Sequence, residues 1–505
     1  MKRKSAIHQS LLYRYRYVIA VVVLTLLAAF MVGYKFWCVP SGLTDAEVQS
    51  AALSGSLSVR AISSSFASGD WVNYVVSLPW TVLQKASIAL LGPTVLAFRL
   101  PSVILMLLAA LLGIVLLRKL TRPNLAMIGG FLMVSSAFYI GIGRSGTDAA
   151  MTTFLLTAVL LLGYNLINQA KSNSWTVVIK LGLVVVMALL AYMPGGIYLD
   201  AALFAVAMLH PRIRLVLMQH KASSILYIVL LLAMLLPITI TIVNDTSIIK
   251  PLLLIGDKWQ VGNIGLALRG YAGTVTDMVG PFVVPMLTIV DLILVVIGLV
   301  SIVRAMSSVR AFTVIIMGFV ILIMSFARPT LIYLLFIPST ILETIGMGWL
   351  INCWYGLFPR NPYARTFAII PLTVLIVSVG WLNINRYFNS LNYCADIAYQ
   401  YDYEYLIVQR ELAATKKPND IAVVVDSEPR LYKMLANKYG VNILVNGDKA
   451  SKQDKSAVKK QLDENRYSKV IVTRSSGYTP KDMKLVKVAS GWTSQNPATV
   501  LVYSK

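Results

Sequence analysis

The chain has 505 residues, of which 57% are apolar and only 13% are charged. Soluble globular proteins carry about 25% charged residues, so this composition excludes a large soluble enzyme and favours a membrane protein. A formal net charge of +23 would suit nucleic-acid binding. However, Lys and Arg cluster in the short links between apolar runs, as they do in the cytoplasmic loops of membrane proteins. We therefore expect a lipid bilayer as the partner and no nucleic acid.

Eleven apolar runs predict membrane-spanning helices. The segment before the first run is rich in Lys and Arg and has no acid, which predicts a cytoplasmic N-terminus for a multi-pass protein of the plasma membrane. An odd number of spans then predicts an extracytoplasmic C-terminus, and each predicted inner link is basic. The runs cover residues 17–38, 94–117, 124–142, 149–168, 175–193, 196–210, 223–243, 282–303, 311–327, 329–352 and 366–385.

The distribution of acidic residues divides the chain into two regions. Residues 1–385 contain ten Asp and Glu, whereas residues 386–505 contain the other twelve of the 22. We therefore predict a transmembrane domain over 1–385 and a small extracytoplasmic α/β domain over 386–505. Its strands and helices alternate, which favours a mostly parallel sheet, and it acts either as a substrate-binding or structural cap or in a separate catalytic role. The predicted strands are Ile421–Val425, Val441–Val445 and Lys469–Thr473, the helices are 428–439 and 452–465, and a hairpin covers 485–503.

The first outer loop, residues 39–92, is too long for a simple link. Thr44 and Glu47 predict a capping box that begins a helix lying on the membrane surface. A second such helix is predicted from Pro79 to Leu91, with Gln84 and Lys85 on its polar side. Asp45 is not needed for the cap, which makes its carboxylate a candidate for chemistry. Seven of the ten acids of the apolar region fall in predicted outer loops, and none falls in an inner link.

The order of several motifs resembles one known group of proteins, the membrane glycosyltransferases of the GT-C fold. Among these, the chain looks most like the protein O-mannosyltransferases and the lipid A aminoarabinose transferases, families 39 and 83, and the resemblance is clearest over residues 17–200. The motifs are Asp45-Ala46-Glu47 after the first span, a Pro-containing helix ending in Leu91-Gly92, Phe98-Arg99-Leu100-Pro101-Ser102, Gly143-Arg144-Ser145-Gly146-Thr147-Asp148, and Tyr192-x-Pro194-x-Gly196-x-Tyr198.

The resemblance implies a mainly α-helical, polytopic GT-C fold with about eleven transmembrane helices. It also implies a cell-envelope enzyme that transfers a hexosyl or pentosyl group from a polyprenyl-phosphate-linked sugar. The acceptor would be a protein, a lipid or a polysaccharide on the extracytoplasmic face, and the displacement would invert the anomeric carbon. Asp45 matches the catalytic Asp of the family's first loop, and Asp148 matches its second acid.

This chemistry needs a base for the incoming hydroxyl and cations for the phosphate leaving group. Asp45 is the candidate base, and Glu47 or Asp148 would orient the acceptor or raise its pKa, although Glu47 is equally explained as a capping residue. Arg144, four residues before Asp148, is the best placed of the candidate phosphate ligands. The remaining candidates are Lys85, Arg269 and Arg328. Arg99 and Arg328 lie at span ends, where snorkelling is an alternative explanation.

A bound metal is in doubt because the sequence departs from the family in the first loop. Bacterial relatives often carry His-Pro-Pro or Glu-Lys-Pro-Pro there, whereas residues 76–80 read Val-Ser-Leu-Pro-Trp. All three His residues of the chain lie on the predicted inner side, which excludes a His-ligated metal on the outer face. A hard divalent ion held by Asp and Glu oxygens is still compatible with the sequence.

Two other classes of protein compete with a transferase. Asp200, Asp291 and Glu343 lie within predicted spans, where acids are costly and often functional, and they favour a transporter or flippase for a lipid-linked or anionic substrate. A membrane-anchored ligand-binding scaffold or sensor gives no reason for Asp45 and Asp148. The long outer loop from residue 244 to 281 contains several Gly residues, Trp259 and Arg269, a composition that suits a flap over the site.

Overall fold

The computed structural model describes residues 11–504 with gaps, and every structural statement below concerns the described part of the chain. The gaps are residues 41, 58–74, 169–173, 212, 215–220, 245–248, 255–258, 274–283, 358–361, 368, 394–400, 416–420, 426–428, 447–466, 474–475, 477, 481–482 and 491–498. Asp70, Asp245, Asp257 and Asp277 and the predicted helix at 452–465 therefore lie outside the described residues.

Apolar helices form most of the molecule. Six are long and apolar enough to cross a membrane, or up to eight if each of two bent helix pairs counts as one span. Three shorter apolar helices are also described, Val177–Ala191, Gly196–Leu209 and Ile289–Val303. The polytopic helical fold is thus confirmed, whereas the count of eleven spans stays a prediction.

The helices follow one another closely along the chain, and a 3-10 helix, Pro329–Leu335, leads directly into one of them. The first half contains Leu11–Gly33, Asp45–Ser56, Leu78–Leu91, Val95–Leu120, Pro123–Ser135, Ala137–Arg144, Ala149–Asn168, Ser174–Ala191, Gly196–Leu209, Lys221–Met234 and Leu236–Asn244. The second half contains Ile249–Leu253, Val261–Ala272, Ile289–Val303, Val309–Ala327, Phe336–Leu357, Pro362–Phe367, Ile369–Tyr393, Glu404–Ala413 and Pro429–Tyr439.

Local breaks explain why some apolar runs become two helices. Gly195 has φ +73°, a left-handed conformation that glycine adopts at little cost, and it separates Ser174–Ala191 from Gly196–Leu209. The run predicted at 124–142 bends by 54° at Ser136. Its two halves are Pro123–Ser135 and Ala137–Arg144. The last membrane helix continues to Tyr393, past the predicted domain boundary at residue 385.

Five strands of the C-terminal region form one sheet: β3, Ile421–Val425; β4, Asn442–Val445; β5, Lys469–Thr473; β6, Lys484–Ser490; and β7, Thr499–Ser504. Their order across the sheet is β4-β3-β5-β7-β6. β3 pairs in parallel with both β4 and β5, whereas β7 pairs antiparallel with β5 and with β6. The sheet is therefore mixed, with its parallel part formed by the three strands that the β-branched runs indicate.

The C-terminal region packs directly on the first outer loop. β1, Leu43–Thr44, pairs antiparallel with β2, Tyr401–Asp402. The hydroxyl of Tyr405 donates to the carbonyl oxygen of Pro93 at 3.0 Å, and the Tyr405 ring packs against Phe98. These contacts bring residues from the two ends of the chain to one side of the helical bundle.

Candidate active site

The helix that carries Asp45 begins with the predicted capping box. The Glu47 N–H donates to Thr44 Oγ1 at 3.3 Å, and the Thr44 N–H donates to Glu47 Oε2 at 2.9 Å. Asp45 is the first residue of this helix and is exposed. The cap therefore fixes the backbone of Asp45 without using its carboxylate.

Glu47 also belongs to a buried ion pair that the sequence did not reveal. Arg99 Nε donates to Glu47 Oε1 at 2.8 Å and its Nη2 donates to Oε2 at 3.1 Å, with Arg99 0% and Glu47 2% exposed. The remaining guanidinium N–H groups donate to main-chain oxygens at the end of the first span and in the first loop, namely those of Phe36, Pro40 and Gly42. Arg99 therefore does not snorkel to the membrane surface, and the alternative explanation offered for it is wrong.

Gln84 is also buried, and its side chain forms hydrogen bonds with several segments around this ion pair. Its Oε1 accepts from Ser50 at 2.9 Å and from Ser54 at 2.7 Å, and its Nε2 donates to the carbonyl oxygens of Phe98 and Gly146. The prediction that Gln84 lies on the polar side of a surface helix is wrong, because its side chain is fully buried.

Through their hydrogen bonds, Glu47 and Gln84 connect the first loop, the start of the second span and the loop after the third span. The N–H of Gly146 donates to Glu47 Oε1 at 2.8 Å, so the loop after the third predicted span contacts the first outer loop. The start of the second span contributes Arg99 to the same cluster. The two segments around residues 45 and 148 are thus held against each other by buried polar contacts, which are strong in a low-dielectric interior.

Asp148 lies in a different environment from Asp45. Its Oδ2 accepts a 2.6 Å hydrogen bond from Ser77 Oγ, and its carboxylate is close enough to Arg328 for their charges to interact. Burial raises the pKa of Asp148 above its ordinary value, and the hydrogen bond from Ser77 opposes part of this rise.

Ser77 is a site residue that the sequence analysis did not single out for chemistry. It has φ +59°, which is unusual for a residue with a side chain, and its N–H donates to the carbonyl oxygen of Tyr192 at 2.8 Å. Such strain often accompanies function. Ser77 lies in the stretch Val76–Trp80 of the first loop, and its hydroxyl is next to Asp148.

Arg144 lies in an environment unlike that expected for a phosphate ligand. Its guanidinium is buried and donates to the carbonyl oxygens of Met31, Tyr34 and Val39 at 2.7–3.1 Å, and it stacks on the Phe388 ring at 4.8 Å. Every one of these contacts fixes Arg144 to protein groups. The described structure therefore gives no support to its predicted role as the best-placed phosphate ligand.

The other three predicted cations are more accessible. Lys85 is half-buried, its Nζ donates to the carbonyl oxygen of Gly55 at 2.7 Å, and burial lowers its pKa. Arg269 is exposed on the helix Val261–Ala272, in the long loop predicted as a flap. Arg328 is half-buried and begins the turn before Pro329–Leu335, beside Asp148.

Asp402, from the C-terminal region, is a further acid near Asp45. The β1–β2 pairing sets Asp402 opposite Leu43, and its Oδ1 accepts from the N–H of Glu404 at 2.7 Å. Burial raises the pKa of Asp402, the hydrogen bond from Glu404 opposes this, and the charge of Asp45 adds to the rise. No local motif marks Asp402, because the contact joins strands that are far apart in sequence.

The described residues do not fit a divalent metal held by side chains. Among them, no group of three or more His, Cys, Asp or Glu side chains is close enough to hold one.

Solved structures share this fold over nearly the whole chain. ArnT from Cupriavidus metallidurans bound to undecaprenyl phosphate has a TM-score of 0.55 and 13% identity, with 98% of each chain covered. The apo state of ArnT gives 0.54 and 13%, with 97% of each chain covered. An Archaeoglobus fulgidus oligosaccharyltransferase tethered with an acceptor peptide gives 0.52 and 10%, covering 91% of this chain and 69% of the other.

These likenesses define the fold class. ArnT and the archaeal oligosaccharyltransferase are membrane glycosyltransferases of the GT-C fold. This chain therefore has the GT-C fold and is a multi-pass membrane protein, as its motifs predict. No protein-family model and no curated protein sequence matches it.

Proposed function

We propose that this protein is an integral membrane glycosyltransferase. It would move a hexosyl or pentosyl group from a polyprenyl-phosphate carrier to a hydroxyl of a protein, lipid or polysaccharide on the extracytoplasmic face. Two structural neighbours support the two substrates of this reaction, since one was solved with undecaprenyl phosphate and another with a tethered acceptor peptide.

The observation that carries the proposal is that Asp45 has an exposed side chain on a firmly held backbone. Its carboxylate is exposed, while the residues on either side of it are fixed by the Thr44–Glu47 cap and by the Glu47–Arg99 ion pair. A rigid support with one free carboxylate is the arrangement that a general base requires, because proton transfer depends on geometry first.

In the proposed reaction, Asp45 takes the proton of the acceptor hydroxyl as its oxygen attacks the anomeric carbon. The bond between that carbon and the phosphate oxygen breaks, and the carrier leaves as polyprenyl phosphate. Positive side chains stabilise the charge that develops on this phosphate. Of the predicted cations, Arg328, Lys85 and Arg269 are proposed for this role, and Asp148 would position Arg328.

Glu47 and Arg144 are assigned other roles in this proposal. Their polar atoms are already bonded within the protein, Glu47 to Arg99 and Arg144 to main-chain oxygens. We propose that they hold the first loop and the first span in place, so that replacing either one lowers stability before it changes chemistry.

The test is the rate of carrier release by purified Asp45→Asn protein. The full-length protein in detergent is incubated with a panel of polyprenyl-phosphate sugars and a membrane extract as acceptor source, and polyprenyl phosphate is measured by mass spectrometry. Asn keeps the size of the side chain but is not a base, so release should fall about 10²–10⁴-fold.

Gln49→Ala is the matched control, because Gln49 is exposed on the same helix. It should release the carrier at the wild-type rate. Wild-type release by Asp45→Asn would remove Asp45 from the mechanism, and the absence of release from any donor by the wild type would overturn the proposed class of enzyme.

A second candidate function is transport of a lipid-linked substrate. It is favoured by the two acids Asp291 and Glu343, which are buried on helices packed against each other. A transporter would move the intact polyprenyl-phosphate sugar across vesicles without releasing polyprenyl phosphate, so the same mass-spectrometric measurement separates the two functions.

A further inference from the structure

A polar cavity lies between the membrane helices, outside the cluster around Asp45. Asp291, Glu343 and Asn383 line it together with Thr340 and Ser136. The three larger side chains are only 4%, 5% and 2% exposed. The cavity has room for about one water-sized particle.

One polar atom in this cavity lacks a partner. Asp291 Oδ2 accepts from the Thr288 N–H at 3.0 Å, from Thr288 Oγ1 at 2.7 Å and from Asn383 Nδ2 at 3.2 Å. The other amide atom, Asn383 Oδ1, is buried and makes no hydrogen bond. An unsatisfied buried oxygen is destabilising, and an added donor or cation in the cavity would remove that cost.

The charges around the cavity also call for one more positive group. Asp291 and Glu343 are close enough for their charges to interact. Arg386 interacts with Asp291, and its guanidinium donates to the carbonyl oxygens of Leu287 and Gly273. Two carboxyl groups share one guanidinium, so the second carboxyl group is neutralised either by a proton or by a bound cation, because a net charge is costly among membrane helices.

We propose that this cavity binds one monovalent cation, Na⁺. The ligands would be carboxylate oxygens of Asp291 and Glu343, the free Asn383 Oδ1 and the Thr340 hydroxyl, whose proton is donated to the Phe336 carbonyl oxygen. A hard cation prefers such oxygens.

The cavity selects against divalent ions. Ca²⁺ takes about 6–8 oxygen ligands, and Mg²⁺ keeps several waters, for which this space has no room. Arg386 also supplies part of the positive charge that a divalent ion would otherwise bring. Among the described residues, Tyr271 also interacts with Glu343, and its hydroxyl is hydrogen-bonded to Ser339 Oγ at 2.6 Å.

The experiment is the binding of radioactive Na⁺ to purified full-length protein in detergent, with choline replacing Na⁺ to keep ionic strength constant. We expect one saturable site. The melting temperature should rise by about 1 °C for each tenfold increase in Na⁺ above the dissociation constant. Equal results in Na⁺ and choline would show that the cavity binds no Na⁺, and would overturn the proposal.

Glu343→Gln and the matched control Asp200→Asn locate the site. Asp200 is another acid of a membrane helix, but it does not line this cavity. Na⁺ binding should be lost in Glu343→Gln and retained in Asp200→Asn, and the opposite pattern would place the site at Asp200. If Glu343→Gln does not fold, Thr340→Val should weaken binding at least tenfold, and unchanged binding would refute the ligand set. Carrier release is not needed for any of these measurements, so the proposal stands or falls apart from the proposed enzyme activity.

Discussion

Asp45 and Glu47 lie two residues apart in one helix, and their surroundings differ in every respect that matters for chemistry. Glu47 is buried, paired with Arg99 and bonded to the N–H groups of Thr44 and Gly146. A buried pair of this kind is strongly destabilising to break, by about 3–5 kcal/mol, because the remaining charge is left without a partner. Asp45 keeps its carboxylate exposed, so the same short motif provides a support and a candidate base.

Replacing Asp148 is expected to affect stability and activity in different directions. Burial raises the pKa of Asp148 in the folded state, so the folded protein binds more protons than the unfolded chain between the ordinary and the raised pKa. Wild-type stability therefore falls as the pH rises through that window and stays reduced above it. A neutral Asn at this position avoids this penalty and still accepts the hydrogen bond from Ser77.

We therefore predict that Asp148→Asn melts at or above the wild-type temperature at neutral pH, with a difference that shrinks in acid. Carrier release should nevertheless fall, by about 10- to 100-fold, because a misplaced Arg328 weakens the phosphate contact. Thermal unfolding between pH 4 and pH 8 together with the release assay checks both parts. A lower melting temperature at every pH would contradict the assigned cost of burial, and unchanged release would remove Asp148 from the site.

The sequence predicts contacts between residues that are close along the chain, and it misses contacts between residues that are far apart. The Thr44–Glu47 cap spans three residues and follows from local helix rules, so it was predictable. The Glu47–Arg99 pair and the approach of Asp402 join segments that are distant in sequence, and no periodicity reports on such pairing. Gln84 shows the same limit, because a polar residue in an apolar helix looks exposed until its buried partners are known.

At the scale of elements, two glycines set the distance between the helices that carry Asp291 and Glu343. A Cβ built on Gly298 would lie 2.0 Å from the Leu342 carbonyl oxygen, and one built on Gly346 would lie 2.1 Å from that of Leu294. These partners are main-chain atoms, which cannot move aside as a flexible side chain can. Small residues commonly allow membrane helices to approach this closely.

Gly346→Ala should consequently destabilise the protein by about 1–3 kcal/mol, the usual cost of overpacking. Gly318→Ala is the matched control, since Gly318 lies in another membrane helix and its added Cβ would meet nothing within 4 Å. That control should be neutral or slightly stabilising, because Ala is the better helix former. Thermal unfolding in detergent measures both variants, and equal melting temperatures for the two would mean that the helices do not pack through Gly346.

At the scale of the whole molecule, one helix separates the two faces. Val95–Leu120 has 26 residues and is about 39 Å long, enough to cross a bilayer. Pro93, just before its first residue, contacts Tyr405 of the C-terminal region. Leu120, its last residue, accepts a hydrogen bond from Arg310 at 2.7 Å. The C-terminal region and Arg310 therefore lie at opposite ends of a membrane helix.

Charge decides which end faces the cytoplasm. Arg118 and Lys119 end the helix on the side of Arg310, and such basic residues are retained inside. We predict that Lys505 lies outside the cell and Arg310 inside, which would place Asp45 on the face where the proposed carrier-linked sugar is used.

The measurement uses single-cysteine variants Lys505→Cys and Arg310→Cys, with the three native cysteines replaced by Ser, and a maleimide that does not cross membranes. Intact cells should label Lys505→Cys alone, and Arg310→Cys should react only after permeabilisation. The reverse pattern would put Asp45, Asp148 and the C-terminal sheet in the cytoplasm, and an extracytoplasmic transferase could not operate with that orientation.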